Sequence, residues 1–157
     1  MIKLTTENLK DLLKSKNLDP QMQEETGQLY LLYKFQDIEY VMFFRIFEDS
    51  TFLQMLLFLP AKIKQGCEPD LGRLLHRINQ GIDTPGYGMN EDAKAIFYRV
   101  MIPTVDGEIE ERHIASVLDS LEGLCKMFTV AIIGVAQGKV TYEKLISEVK
   151  NASTPEK

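Results

Sequence analysis

The sequence has few residues of the kinds that hold a fold together through disulfides or metals. It has two cysteines, Cys67 and Cys125, and two histidines, His76 and His113, in 157 residues. Two cysteines so far apart do not form a disulfide framework. Neither histidine belongs to a spacing such as HExxH that holds a metal. We therefore expect free thiols, no metal, no cofactor and a cytoplasmic location.

Long apolar segments are missing as well. The longest uncharged apolar run, 127–136, spans about 15 Å as a helix, which is half of a bilayer core. The N-terminal residues MIKLTTENLKDLL contain no apolar core of a signal peptide. We expect a chain without a secretion signal and without a membrane partner.

The sequence is also short of positive charge. It has 18 basic and 23 acidic residues, which gives a net charge of −5 at pH 7. A surface with this balance repels a phosphate backbone, so we expect no nucleic acid partner. An acidic surface suits solubility and a basic protein partner.

Two glycine-rich stretches resemble phosphate-binding loops but lack the required context. The stretch QGIDTPGYGM, residues 80–89, follows a predicted helix and opens a strand, whereas a dinucleotide loop follows a strand and opens a helix. The stretch GVAQGKVT, residues 134–141, has one residue too few between its glycines for a P-loop, and Val140 stands at the metal-binding hydroxyl position. We interpret both as turns between elements, with Gly81 as a left-handed helix cap and Gly138 as a helix breaker.

Hydrophobic periodicity predicts an α+β domain over residues 1–150, followed by a polar tail at 151–157. Apolar residues recur every three or four positions in four segments and alternate in five others. The predicted order of elements is α-βββ-α-ββ-α-α, with strands at 29–35, 38–47, 51–59, 87–90 and 95–102 and a long helix from about Glu108 to Gln137. Segregated strands and helices of this kind predict an antiparallel sheet with helices packed against it.

The second and third strands are apolar on both faces, which a sheet exposed on one side does not require. Something must therefore cover the second face: helices of the chain, a second subunit or a partner. The off-stripe positions of the long helix are apolar too. We expect the partner or dimer contacts at Val41, Phe43, Phe47, Leu57, Met127, Val130 and Ile133.

Three segments resemble the YbjN family of bacterial proteins: RLLHRINQGID, GYGMNEDAKAIFYRVMIP and DGEIEERHIASVL. The resemblance extends from the first helix to Gln137. It implies the fold of the class I type III secretion chaperones, in which helices pack on a twisted antiparallel sheet. It also implies frequent dimers, binding without chemistry, and a link to sensory or stress regulation.

Together these observations predict a non-enzymatic protein-binding module, chaperone-like or regulatory, that forms a homodimer. The alternative is a carrier of a small molecule or lipid in a cavity between the sheet and the long helix. An enzyme is the weakest interpretation, because it would need a polar cluster around His76, His113 or Cys67.

Overall fold

The computed structural model describes residues 1–153 and contains four helices and eight strands in that range. The predicted α+β class and the order of the main elements are confirmed. The elements in chain order are β1 Ile2–Lys3, α1 Thr6–Ser15, β2 Gln21–Met22, β3 Leu29–Phe35, β4 Ile38–Ile46, β5 Phe52–Phe58, α2 Glu68–Gly81, β6 Tyr87–Asn90, β7 Ala95–Pro103, β8 Glu108–Ile109, α3 Glu111–Ala136 and α4 Tyr142–Ala152.

Six strands form one antiparallel sheet in the order β2-β3-β4-β5-β7-β6. Strands β3, β4 and β5 form an antiparallel meander, and the predicted antiparallel sheet is confirmed. The two-residue strands β1 and β8 form a separate antiparallel pair, in which Ile2 lies opposite Ile109. This pairing, which was not predicted, makes α3 begin at Glu111 rather than at about Glu108.

Two tight turns depend on left-handed backbone. Gln36 and Asp37, between β3 and β4, have φ angles of 48° and 63°. Asp106 and Gly107, before β8, have φ angles of 52° and 73°. Two consecutive residues with positive φ give the turn whose twist matches that of paired strands, so both loops can be two residues long.

The helix ends agree with the sequence in most places and differ at Gly81. Thr5 caps α1 by accepting a hydrogen bond of 3.2 Å from the Asn8 backbone N–H. Gly138, with φ of 71°, follows the end of α3 as predicted. Gly81 has no left-handed backbone, because α2 ends instead with Ile82 in extended conformation. The predicted left-handed cap at Gly81 is therefore wrong.

The side chain of Asn79 fixes the connection that follows α2. Its Nδ2 donates to the Tyr87 carbonyl at 2.9 Å, and its Oδ1 accepts from the backbone N–H groups of Gly86 and Tyr87 at 3.2 and 3.0 Å. These bonds attach the end of α2 to the start of β6. They satisfy backbone groups of Gly86 and Tyr87 at the end of the loop.

One face of the sheet is packed against the helices, and we call it the covered face. Its side chains are buried together with the apolar stripes of α1, α2 and α3. One direct link between the layers is a hydrogen bond of 2.8 Å that the buried Tyr40 hydroxyl on β4 donates to Thr129 Oγ1 on α3. The covered face includes Leu29, Leu31, Tyr40, Met42, Phe44, Leu53, Met55, Leu57, Ile96 and Tyr98.

The last helix lies against α2. Asp70 Oδ2 accepts a hydrogen bond of 2.9 Å from the Tyr142 backbone N–H, and the Arg73 guanidinium lies 4.1 Å from the centre of the Tyr142 ring. Arg73 also pairs with Glu143 at 2.8 Å. No residue of α4 is fully buried, so these contacts hold the helix at the edge of the core.

Candidate functional site

No helix within residues 1–153 covers the opposite face of the sheet, and we call it the open face. Its side chains are half-buried or exposed, because strict alternation sends every second residue of each strand away from the core. Leu32 is 57% exposed and Met101 is 39% exposed. The open face includes Tyr30, Leu32, Lys34, Glu39, Val41, Phe43, Arg45, Gln54, Leu56, Phe58, Gly88, Phe97, Arg99 and Met101.

A row of aromatic rings crosses the open face. Tyr30, Phe43, Phe58 and Phe97 come from four adjacent strands, β3, β4, β5 and β7, and successive ring centres lie 5.8, 6.0 and 6.4 Å apart. The pairing places Tyr30 opposite Phe43 and Phe58 opposite Phe97. Such cross-strand pairs stabilise the sheet. They also leave a continuous apolar strip in contact with solvent.

Three shallow depressions border this row. A depression of about 560 Å³ is lined mainly by apolar groups, including Val41, Phe43, Phe58 and Pro60, with Lys62 beside them. The second, of about 340 Å³, joins Phe43 and Phe58 to Arg45 and three glutamines. The third, of about 440 Å³, lies between Phe97 and Arg99 on β7 and the residues that precede and begin β6. Each depression therefore combines an aromatic wall with one cationic side chain.

The two arginines of the open face are held over rings. The Arg45 guanidinium carbon lies 4.8 Å from the centre of the Phe47 ring, and that of Arg99 lies 5.8 Å from the centre of the Phe97 ring. Both distances are within the range of cation–π attraction. Within residues 1–153 neither guanidinium lies within ion-pair distance of a carboxylate.

The structure separates the expected contact residues into different places. Val41 and Phe43 lie on the open face, and Phe47 follows the end of β4 with its ring 6.1 Å from that of Phe52. Leu57 lies on the covered face and is only 2% exposed, so it is part of the core rather than of a surface. This corrects our placement of Leu57.

The expected contact residues of α3 lie away from the open face. Met127 and Val130 are 70% and 77% exposed, whereas Ile133 is half-buried. Because α3 packs on the covered face, Met127 and Val130 cannot share a surface with Val41 and Phe43. We call Met127 and Val130 the outer α3 pair. Met127 also borders an apolar groove of about 300 Å³ between α2, α3 and α4.

Sequence reasoning missed Phe97 and the two arginines as members of one surface. The alternation of β7 contains a signal, since Phe97, Arg99 and Met101 alternate with buried Ile96 and Tyr98. Nothing in the sequence says that these positions lie beside Phe58 on another strand. That neighbourhood follows from the pairing of β5 with β7.

The polar groups that an enzyme would need do not form a cluster in the described chain. His76 on α2 and His113 on α3 are both exposed, and Cys67 is half-buried next to Gly138. Within residues 1–153 no three His, Cys, Asp or Glu side chains are arranged to hold a metal ion. Cys125 is buried on α3, where burial raises the pKa of its thiol.

Two tyrosine hydroxyl groups link the sheet to α3, that of Tyr40 through Thr129 and that of Tyr33 through Glu122. Burial raises the pKa of Tyr40 to about 12, and the Tyr40 hydroxyl is donated to Thr129. Burial, followed by the nearby Glu122 carboxylate, raises the pKa of Tyr33 to about 12. A phenol with a raised pKa stays protonated and neutral at physiological pH. These tyrosines therefore act as hydrogen-bond donors between the sheet and α3 rather than as bases.

A family model matches residues 5–133, which include all of the six-stranded sheet and most of α3. The model is that of YbjN, described as "Putative bacterial sensory transduction regulator". This chain belongs to the YbjN family. The curated proteins contain no match to the chain. In this YbjN chain, α4 lies beyond the matched residues. Within residues 1–153, every helix is either too short or too polar to span a membrane.

Proposed function

We propose that this YbjN protein is a non-enzymatic regulator of the cytoplasm that binds a protein segment on the open face of its sheet. The observation that carries the proposal is the aromatic row, which spans four strands and is left uncovered by the helices of the described chain. Contiguous apolar surface of this kind is typical of interaction sites. The family's description as a sensory transduction regulator supports a regulatory role.

The shape of the open face favours a protein segment over a small molecule. The three depressions are shallow and lie side by side along the row, so a ligand that fills them must be long. The edge beside the row is also available. Strand β2 pairs only with Leu29 and Tyr30, which leaves the outer edge of β3 free of strand partners from Leu31 to Phe35 within the described chain. A segment that crosses the depressions could add hydrogen bonds at this edge with the residues that extend beyond the row.

We further propose that the protein is a homodimer joined through the outer α3 pair. Met127 and Val130 are one helical turn apart and largely exposed, so they place two large apolar side chains next to each other in solvent. Because the outer α3 pair and the open face lie on opposite sides of the molecule, a dimer formed there leaves both open faces free for partners.

The carrier alternative receives less support. The space between the sheet and α3 would have to contain the cavity, but the Tyr40 hydroxyl contacts Thr129 directly there at 2.8 Å. Cys125 and Ile132 of α3 are buried within the same core.

Site-specific photo-crosslinking in the source cell tests both proposals together. A photoreactive amino acid replaces Leu32 on the open face, Met127 on α3, or exposed Glu7 on α1 as the matched control. We expect an adduct with another protein from position 32, an adduct with a second copy from position 127, and neither from position 7. If position 32 gives no more adduct than position 7, the open face is not the binding site.

Light scattering tests the dimer separately. We expect a mass of twice 18.0 kDa for the native chain and 18.0 kDa for Val130→Glu, because a buried unpaired carboxylate disrupts an apolar contact. The control is Ser147→Glu, an exposed position on α4. A native mass of 18.0 kDa at micromolar concentration would refute the dimer.

A further inference from the structure

The charge of the open face is opposite to that of the chain as a whole. The chain carries −5, yet the strand positions of the open face carry Lys34, Arg45 and Arg99 against one carboxylate, Glu39. Lys34 and Glu39 lie directly opposite each other in the pairing of β3 and β4. The two arginines therefore provide a local excess of two positive charges on an acidic protein.

Arg45 and Arg99 differ from other arginines of the chain in what they contact. Arg73 pairs with Glu143, and Arg112 pairs with Glu110. Arg45 and Arg99 lie near rings, as Arg73 does near Tyr142, but have no carboxylate at ion-pair distance in residues 1–153. A guanidinium near a ring still has N–H donors that can bind a carboxylate through two hydrogen bonds.

From these observations we infer that the segment bound on the open face is acidic and apolar, with carboxylates that pair with Arg45 and Arg99 and apolar side chains between them. This inference rests on the proposed function, since it names the chemistry of the partner at the same surface. It also reverses, for this surface, the expectation of a basic partner that the net charge suggests.

The strand pairing sets the spacing that such a segment must have. Arg45 lies opposite Gln54 and Arg99 lies opposite Leu56, so the two arginines are two strands and two residues apart. With strand and residue spacings of about 4.8 and 3.4 Å, their Cα atoms are about 12 Å apart. An extended chain covers about 13 Å in four residues. Carboxylates at positions i and i+4 of an extended segment therefore match the two arginines.

The pairing places Gln54 and Leu56 of β5 between the two arginines, with apolar side chains around them. Leu56 and Phe58 of β5 lie beside Arg45 in one depression together with Phe43, and Met101 lies beside Arg99 in another. The side chain midway between two carboxylates of an extended segment points in the same direction as they do. A Leu or Phe at i+2 would thus lie near Leu56, beside the aromatic row.

Selection from a displayed library of random 12-residue peptides tests the inference. The full chain is the bait, and the binders are measured against the native chain, Arg45→Gln, Arg99→Gln and the control Arg77→Gln, whose exposed side chain lies on α2. We expect binders rich in Asp or Glu four residues apart with Leu or Phe between them. Each open-face variant should weaken binding about tenfold, Arg77→Gln should not, and binding should fall with rising salt.

Other outcomes separate this inference from the proposed function. Neutral or basic binders that are lost with Phe43→Ser would overturn the acidic partner and leave the open face as a binding site. Phe43→Leu serves as the second variant if Phe43→Ser does not fold. No binder, or binders unaffected by any open-face variant, would overturn both. A labelled oligouridine that binds at 150 mM salt and is released by Arg45→Gln would show a nucleic acid ligand instead, because aromatic rows with arginines also stack bases.

Discussion

The ring of Phe97 lies over the backbone of Gly88, its direct partner in the pairing of β6 with β7. A Cβ atom added to Gly88 would lie 2.7 and 2.8 Å from two atoms of that ring. Glycine is therefore required at position 88 for Phe97 to keep its position. Because Phe97 also contacts Phe58, this one missing side chain allows the aromatic row to reach β7.

We predict that Gly88→Ala displaces the Phe97 ring and destabilises the chain by about 1–3 kcal/mol, because an added methyl group overpacks the contact. Urea unfolding measures the free energy, and aromatic NMR resonances report the ring. As a control, the same Gly88→Ala change is made in the Phe97→Leu variant. There it should lower the free energy of unfolding by less. An equal cost in both backgrounds would mean that the ring is not the obstacle.

Tyr40→Phe should destabilise the chain by about 1 kcal/mol, because it removes the buried hydrogen bond to Thr129 without opening a large cavity. Tyr30→Phe is the control, since the Tyr30 hydroxyl makes no hydrogen bond within the described residues and its ring lies on the open face. We expect a change below about 0.5 kcal/mol for Tyr30→Phe in urea unfolding. Similar costs for the two variants would argue against a structural role of the Tyr40 hydroxyl.

Stability should decrease as the pH rises from 10 towards 12. Burial raises the pKa of Tyr33 and Tyr40 from 10.0 to about 12, and it raises the pKa of Tyr87 and Tyr98 as well. Between these values the folded chain retains phenol protons that the unfolded chain has released, so the free energy of unfolding falls with pH. This contribution is fully present below pH 10.

The alkaline prediction is measured by urea unfolding at a series of pH values from 8 to about 11.5. Lysines lose their charge in the same range. For this reason we compare the free energy of unfolding of the native chain with that of Tyr40→Phe at each pH. The free energy of Tyr40→Phe should decrease less steeply as the pH rises. Parallel curves for the two proteins would mean that Tyr40 does not contribute.

Asn79→Ala should loosen the connection between α2 and β6. The substitution removes three hydrogen bonds to Gly86 and Tyr87, so we expect a loss of about 1–3 kcal/mol and faster hydrogen exchange at the Tyr87 amide. Gln80→Ala, at an exposed neighbouring position, is the control and should leave that exchange rate unchanged. An unchanged Tyr87 amide in Asn79→Ala would contradict the assigned contacts.

The periodicity of the sequence was sufficient to predict the main elements. The alternation over 29–35 and 38–47 corresponds to β3 and β4 within one residue, and the apolar stripe of the long helix corresponds to α3. These elements could be predicted because each has enough residues for its period to be unambiguous. Strands β1, β2 and β8 have two residues each, which is too few for any period to appear.

The candidate site was only partly predictable. Val41 and Phe43 were expected at a contact surface and lie on the open face, but Leu57 was expected there too and is buried. Strand β5 is apolar at nearly every position, so its sequence does not tell which alternate set faces the helices. Its register with β4, where Leu57 lies opposite buried Met42, decides this.

The sequence by itself determined the α+β class, the order of the main elements and the family. It also showed a surplus of apolar residues, since some strands carry more of them than one buried face needs. Only the tertiary structure decided where that surplus lies. Strand pairing brings Tyr30, Phe43, Phe58 and Phe97 into one row and places Arg45 and Arg99 beside it, although these residues span 70 positions of the chain. A period of two assigns each residue to one of two faces. Which face the helices cover depends on packing between segments far apart in sequence, and no local pattern carries that information.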